Sequence, residues 1–127
     1  MEEQGDHIVL KDLSYEVMAA AFEVQNTLGA GFLEKVYENA LAVELSRRGL
    51  RVEVQKGIEV FYKEVSVGSY FADMLVDGEL IIELKASESI ARVNEAQVLN
   101  YLKATGIKLG LLINFGKTRL EYKRFVV

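Results

Sequence analysis

The amino-acid sequence predicts an α/β fold in which a mixed β-sheet is flanked by helices. Two segments with helical periodicity come first, and from residue 51 they give way to short runs of β-branched and aromatic residues. A further helical segment then separates these runs from two more strands. The predicted order is therefore two N-terminal helices, a β-meander, a crossover helix and further strands.

The two N-terminal helices are predicted from the spacing of apolar residues and from glycine. Over about residues 13–28, apolar side chains recur at intervals of four and three, the period of one helix face: Val17, Ala21, Val24 and Leu28. A second helix is expected from about residue 32 to residue 48, where Gly49 supplies a C-terminal stop. Its apolar stripe consists of Leu33, Tyr37, Ala40, Leu41 and Leu45.

The remaining segments alternate between strand and helix composition. Short strands are predicted at residues 51–55, 58–62, 70–76 and 80–84. The next predicted elements are a helix and two strands, at residues 91–105, 109–115 and 120–127. Because no proline-rich linker or repeat divides the chain, we expect one domain over residues 1–127.

Composition and charge exclude several kinds of protein. The 127 residues include no cysteine, which excludes disulfides, thiolate zinc sites and cysteine nucleophiles, and we expect a cytoplasmic location. The acidic start of the chain leads into no long apolar run, so we expect neither a signal peptide nor a membrane anchor. The net charge of −4 argues against nucleic-acid binding by charge alone, although bound Mg²⁺ would reverse the sign at a carboxylate site.

Two strands joined at Asp77-Gly78 are predicted to form a hairpin. Alternate residues share a strand face, and one face of each strand is fully apolar: Ala72, Met74 and Val76, then Leu80, Ile82 and Leu84. Burying both faces together requires three opposed pairs, Val76 with Leu80, Met74 with Ile82 and Ala72 with Leu84. The loop is then Asp77-Gly78-Glu79.

The same register places Asp73 directly opposite Glu83 on the other face, with Lys85 next along that face. Opposed carboxylates repel each other and need a compensating cation. Their oxygens suit Mg²⁺ or Mn²⁺, which can polarise a phosphoryl oxygen and lower the pKa of an attacking water. In this interpretation the metal ligands are Asp73, Glu83 and the backbone carbonyl of Leu84. Lys85 could position that water or stabilise charge that builds on the phosphate, and we favour charge stabilisation because two carboxylates favour the charged form of a lysine.

Each candidate residue also has a structural interpretation. Asp73 could lie on an exposed face, with Glu83 and Lys85 at a solvated edge, since isolated matches to D and E-x-K are common. Glu34 lies near the apolar stripe of the second helix, where a carboxylate needs a partner, but the helix dipole alone would favour an acid there. Gln97 and Tyr101, one turn apart on the crossover helix, could reach the site or form an ordinary amphipathic boundary.

Together these segments resemble a known family. Residues 31–37 (GFLEKVY) match the G-x-x-E-x-x-Y signature of the GxxExxY proteins, which belong to the PD-(D/E)xK nuclease-like superfamily. Asp73, Glu83 and Lys85 match the D…E-x-K core of that superfamily, with Ala72 in place of the proline. Residues 97–101 (QVLNY) look like the Q-x-x-x-Y element of its exonuclease-type branch. The resemblance covers about residues 13–125.

The resemblance implies a restriction-endonuclease-like fold, Mg²⁺ as cofactor and phosphodiester hydrolysis as ancestral chemistry. It also implies roles for individual residues. Asp73 and Glu83 would be metal ligands, and Lys85 would be the catalytic lysine. Glu34 would be an auxiliary acid at the metal. Gln97 would orient the substrate or the lysine, with Tyr101 beside it.

Three functions are compatible with the sequence. The first is a Mg²⁺-dependent nuclease acting on DNA or RNA. The second is a catalytically silent nuclease-like module that binds nucleic acid or a protein partner, and the third is a hydrolase of a small nucleotide or other phosphoester. A basic track leading to the site would favour a polymeric substrate. The candidate residues for such a track are Lys56, Lys63, Arg92 and Lys103.

Overall fold

The structure is a computed structural model that describes residues 2–127, with side chains described from residue 12 onward. Its helices and strands are α1 (Glu2–Leu28), α2 (Glu34–Arg47), β1 (Val52–Tyr62), β2 (Val65–Val76), β3 (Leu80–Lys85), α3 (Arg92–Thr105), β4 (Leu109–Asn114) and β5 (Glu121–Val126). In this part of the chain no helix is both long enough and apolar enough to span a membrane.

The five strands form one mixed sheet in the order β1-β2-β3-β4-β5. β1, β2 and β3 make an antiparallel meander, α3 crosses over from β3 to the parallel strand β4, and β5 returns antiparallel to β4. The crossover is needed because a tight turn can join only antiparallel strands. The predicted order of elements is therefore confirmed.

Helices cover both faces of the sheet. α1 and α2 pack on one face, over a core that includes Met74, Val76, Leu80, Ile82 and Leu84. α3 covers the other face, over a core that includes Ile58, Ala72, Leu75, Ile81 and Leu112. β3 and β4 are buried on both sides, which explains why their sequences are nearly continuous apolar runs.

The hairpin between β2 and β3 has the predicted loop and most of the predicted register. Val76 pairs with Leu80 and Met74 with Ile82. The prediction that Ala72 lies opposite Leu84 is wrong, because the ladder ends at Met74 and Ala72 packs in the core beneath α3. The two strands diverge at this point, where the hydrogen bonds between them join a backbone N–H to a side-chain carboxyl group.

Three elements are longer than predicted. α1 begins at Glu2 instead of near residue 13. The strands predicted at residues 51–55 and 58–62 are one strand, Val52–Tyr62, since pairing with β2 continues on both sides of Gln55, which has a φ of 53°. β2 begins at Val65, so β1 and β2 extend together beyond the part of the sheet that β3 pairs with. We call this two-stranded extension, residues 57–71, the arm.

Glycine at position 110 lets α3 approach β4 closely. A Cβ atom added at Gly110 would lie 2.7 Å from Cγ1 of Val98 and 3.2 Å from Cδ1 of Leu102. Both neighbours are buried side chains of α3. The helix that carries Gln97 and Tyr101 is therefore held against the sheet at a position where no side chain intervenes.

Candidate functional site

Asp73 and Glu83 meet where β2 and β3 diverge. Their predicted direct opposition in the ladder is wrong, because backbone pairing stops at Met74. Instead, Asp73 Oδ2 accepts a hydrogen bond from the backbone N–H of Leu84 at 2.7 Å. The backbone N–H of Asp73 donates to Glu83 Oε1 at 3.3 Å. Both carboxyl groups thus lie in the gap between the two strands.

Glu83 is a buried acid, with only 4% of the residue exposed. Burial and then the charge of Asp73 raise the pKa of Glu83 to about 9, although the ammonium of Lys85 favours ionisation. The two carboxyl groups therefore cannot both ionise easily at neutral pH. In the absence of a cation, Glu83 keeps its proton.

Lys85 follows Glu83 on the same face of β3. Its backbone carbonyl accepts a hydrogen bond from the N–H of Phe115 at 2.8 Å, which fixes the end of β3 against the end of β4. Its half-buried side chain lies close enough to Glu83 and Glu34 for its charge to lower the pKa of both. The structure therefore brings Lys85 close to Glu83 and Glu34.

Glu34, the first residue of α2, reaches the same place from the α2 side of the sheet. Partial burial raises the pKa of Glu34 above its ordinary value of 4.5. Its carboxyl group also senses the charges of Lys85, Asp73 and Glu38. A position at the start of a helix suits an acid in any case, but here the acid also lies beside the candidate site.

Tyr37 fixes the turn that places Glu34. Its buried hydroxyl donates to the carbonyl of Gly29 at 2.6 Å and accepts from the N–H of Phe32 at 3.2 Å. Gly31, between them, has a φ of 113°, which side-chain-bearing residues rarely adopt. Within residues 31–37 the glycine and the tyrosine thus shape the chain, and the glutamate lies toward the site.

Two residues that the sequence did not single out extend the cluster. Glu38 is buried one turn after Glu34 and forms an ion pair with Lys35. Gln55 Nε2 donates to Glu38 Oε1 at 2.6 Å and to Asp73 Oδ1 at 3.2 Å. The one-turn spacing of the two glutamates was a signal for Glu38. No sequence signal marked Gln55, because its reach depends on a left-handed backbone conformation that strands rarely contain.

Gln97 and Tyr101 approach Glu83 from α3. Gln97 Nε2 donates to the Tyr101 hydroxyl at 2.8 Å. Tyr101 is buried, and burial followed by the charge of Glu83 raises its pKa above the ordinary 10.0. The Tyr101 ring also lies beside Tyr70, with the two centroids 5.9 Å apart. The structure thus places both α3 residues at the border of the candidate site.

The oxygen donors of the gap are few. Among the described residues, no group of three acidic or histidine side chains is close enough to hold a metal ion. Because the N–H and C=O of one strand residue point the same way, the Leu84 carbonyl is directed into the gap beside Asp73 and Glu83. Mg²⁺ commonly takes only one or two carboxylates and keeps several waters. This donor set therefore fits a hydrated Mg²⁺ ion.

The four basic residues of the predicted track lie in different surroundings. Lys56 is paired with an acid on its own strand, and Lys63 lies at the turn between β1 and β2. Arg92 is exposed at the first residue of α3. Lys103 lines a groove together with Gln97 and Tyr101. Of the four, Lys103 shares a surface with predicted site residues.

A model of the PD-(D/E)XK nuclease superfamily matches residues 11–125. The chain belongs to this superfamily. Its fold is restriction-endonuclease-like, as predicted, and is similar to the crystal structure of SSO0001, with a TM-score of 0.59 and 17% identity over 72% of this chain. The aligned part spans half of that protein's chain (50%). No curated protein sequence matches the chain significantly.

PD-(D/E)XK nucleases usually depend on divalent metal ions. The matched region contains every residue of the candidate site, from Glu34 to Tyr101. Nuclease chemistry is what this superfamily suggests in general. The roles of Asp73, Glu83 and Lys85 remain predictions from the sequence, because a shared fold does not by itself establish a function.

Proposed function

We propose that the chain is a Mg²⁺-dependent nuclease that hydrolyses phosphodiesters in DNA or RNA and works as a single domain. The observation that carries this proposal is the pair Asp73 and Glu83, held together in the gap between β2 and β3 with Lys85 beside them. When both are ionised, two acids so placed repel each other, and a divalent cation would remove that repulsion and allow Glu83 to ionise. Superfamily membership supports the same chemistry.

The proposed metal ligands are Asp73, Glu83, the backbone carbonyl of Leu84 and, at the edge, Glu34. Water molecules would complete the coordination, as is usual for Mg²⁺. The bound ion would supply polarisation of a phosphoryl oxygen and a lowered pKa for a water molecule. Carboxylate and carbonyl oxygens suit Mn²⁺ equally, so we expect Mn²⁺ to replace Mg²⁺.

Lys85 is proposed to stabilise the negative charge that builds on the phosphate. It lies two residues after Glu83 on the same face of β3, close enough for its charge to lower the pKa of Glu83. Gln97 and Tyr101 are proposed to orient the substrate from α3. For this role Gln97 would exchange its hydrogen bond to Tyr101 for one to the substrate or to Lys85.

We also assign the chain to the GxxExxY proteins within the superfamily. The support comes from the different parts that residues 31–37 play. Gly31 adopts a positive φ and Tyr37 anchors the turn, while Glu34 lies beside Asp73 and Lys85. Each of the three signature residues, Gly31, Glu34 and Tyr37, thus has a structural or chemical role in this proposal.

The experiment that tests the proposed function uses purified protein with labelled single- and double-stranded DNA and RNA. Cleavage is expected with Mg²⁺ or Mn²⁺ and is expected to stop in EDTA. Asp73→Asn should abolish it, and Asp77→Asn, the same change in the hairpin turn of β2, should not. A wild-type protein that cleaves none of the four substrates with either ion would overturn the proposal.

A catalytically silent module is the second candidate function. The observation that favours it is that no three acids of the described residues are assembled for metal binding. Such a module would bind nucleic acid or a protein partner, and its nucleic-acid binding would be the same in Mg²⁺ and in EDTA. Hydrolysis of a small phosphodiester without cleavage of any polymer would instead support the third function predicted from the sequence.

A further inference from the structure

A groove lies between α3 and the arm, next to the candidate site. Its volume is about 720 Å³, within the range of pockets that bury small molecules. The arm contributes Phe61 and Tyr70 to its wall, and α3 contributes one face that includes Gln97 and Tyr101. Burial and then the nearby charges of Glu83 and Asp73 raise the pKa of Tyr101, and Gln97 donates to its hydroxyl, so the groove adjoins the candidate site.

Aromatic rings form much of the groove wall. Phe61 is 63% exposed and Tyr70 is 51% exposed, although both are large and apolar. Tyr70 lies beside Tyr101, so the rings of the arm and of α3 adjoin each other. Exposed apolar surface gathered at one place marks a surface that a ligand or partner covers. The flat faces of these rings suit the stacking of planar groups.

The polar side chains of the groove are carboxamides and one ammonium. Asn94, Gln97 and Asn100 can each donate and accept hydrogen bonds. Lys103 is the one charged residue among the described residues of the lining, which includes no acid, while the whole chain has a net charge of −4. The groove therefore suits an anionic ligand that carries planar rings with polar edges.

We propose that this groove binds the unpaired bases of a single-stranded nucleic acid whose backbone leads to Asp73 and Glu83. The proposal rests on the nuclease function and adds the substrate class to it. In a duplex, stacking hides the base faces that Phe61 would contact, and pairing hides the Watson–Crick edges that the carboxamides would bond. With one lysine, the groove also lacks the several phosphate contacts on which charge-driven duplex binding depends.

Fluorescence anisotropy in EDTA measures binding without cleavage. The probes are a fluorescein-labelled single-stranded oligoadenylate, an abasic oligomer with the same number of phosphates, and a duplex of the same length. The oligoadenylate is expected to bind more tightly than the other two. Equal binding of the abasic oligomer would mean that phosphates alone are recognised and would overturn the proposal, as would tighter binding of the duplex.

Phe61 and Phe71 offer a matched pair of variants. They are 63% and 62% exposed, and Phe71 does not line the groove. Phe61→Ala is expected to weaken oligoadenylate binding roughly 5- to 100-fold, because stacking on one ring is lost, whereas Phe71→Ala should leave it unchanged. Phe61→Trp keeps a stacking face and should bind at least as tightly as the wild type. Thermal melts establish that each variant is folded.

The outcomes separate this proposal from the nuclease function. Single-strand binding that Phe61→Ala weakens, in a protein that cleaves nothing in Mg²⁺, would support the groove and defeat only the nuclease proposal. Cleavage of a single strand with the same KM in Phe61→Ala and Phe71→Ala would overturn the groove proposal and leave the nuclease function in place. Equal oligoadenylate affinities of the two variants in EDTA would overturn it as well.

Discussion

The side chain of Asp73 takes the place of a backbone partner for Leu84. Its Oδ2 accepts the Leu84 N–H at 2.7 Å, at the point where β2 no longer pairs with β3. The N–H of Asp73 in turn donates to Glu83 Oε1. Two acidic side chains thus satisfy main-chain donors that the ladder leaves unpaired, so substitutions here affect the sheet as well as the chemistry.

Asp73→Asn and Lys85→Ala are expected to impair the proposed enzyme in different ways. Asparagine keeps an oxygen for the Leu84 N–H but removes a charged ligand, so both Mn²⁺ affinity and cleavage should fall. Lys85→Ala removes no ligand. Metal should still bind, while turnover falls roughly 10²- to 10³-fold, the effect of losing a group that stabilises transition-state charge.

Isothermal titration with Mn²⁺ and single-turnover cleavage on the same preparations distinguish the two variants. Unchanged Mn²⁺ affinity in Asp73→Asn, or wild-type turnover in Lys85→Ala, would contradict the proposed roles.

The stability of the metal-free protein is expected to fall as pH rises. The folded state raises the pKa of Glu83 from 4.5 to about 9, so it holds a proton that the unfolded chain releases. The stability that the folded state gains from holding this proton is fully present below about pH 4.5 and is lost as pH rises through about 9. Glu83→Gln resembles the protonated acid, so its Tm in EDTA should decline less than that of the wild type across this window.

Thermal melts in EDTA between about pH 5 and pH 9 measure the effect. At the alkaline end Glu83→Gln should melt a few degrees above the wild type, since about 1 kcal/mol shifts the Tm of a domain of this size by roughly 3–6 °C. Glu79→Gln, in the exposed hairpin loop, is the control and should follow the wild type. Parallel curves for wild type and Glu83→Gln would refute the argument.

Gln55→Glu tests the bridge between Glu38 and Asp73. The change removes the amide donor that both carboxyl groups use and adds a third negative charge. Stability at neutral pH should fall by about 1–3 kcal/mol in urea unfolding, and the loss should shrink below about pH 4 as carboxylates take up protons. Asn39→Asp adds the same charge at an exposed position of α2 and should be nearly neutral. Equal stabilities of the two variants would count against the bridge.

Gly110→Ala tests the close approach of α3 to β4. The added methyl group would meet Val98 at 2.7 Å, so α3 must shift, at a cost of about 1–3 kcal/mol. Gly57→Ala is the control, because its methyl group would meet only Cε1 of Phe71 at 3.8 Å, an ordinary contact. Adding Val98→Ala to Gly110→Ala should recover part of the loss. A Gly110→Ala protein as stable as Gly57→Ala would show that no such constraint exists.

Apolar alternation predicted the β2–β3 hairpin correctly as far as Met74. A one-residue slip would have moved one apolar set to the other face of the sheet, so the pairs Val76 with Leu80 and Met74 with Ile82 follow from keeping both sets in the same core. The rule failed at Ala72, because a small side chain can be buried on either face of this doubly covered sheet. Alternation also carries no information about where a strand leaves its neighbour.

The candidate site was predicted in its residue types but not in its geometry. Asp73 and Glu83 were expected to face each other across a ladder, whereas each bonds the other strand's backbone. The one-turn spacing from Glu34 was a signal for Glu38, but its burial depends on packing against β1 and could not be predicted. Gln55 reaches the cluster through a backbone conformation that no local propensity predicts.

Asp73 and Glu83 lie on parts of the sheet that we expect to differ in local stability. Before Met74, β2 pairs only with β1, whereas β3 has β2 on one side and β4 on the other. Deuterium should therefore enter the amides of residues 57–71 well before those of β3 and β4. Asp73 lies at the root of the arm and Glu83 on the central strand, so we expect a local opening of the arm to separate them while the rest of the sheet stays folded. In that case the lifetime of the assembled site would depend on the arm and not on the unfolding of the whole domain.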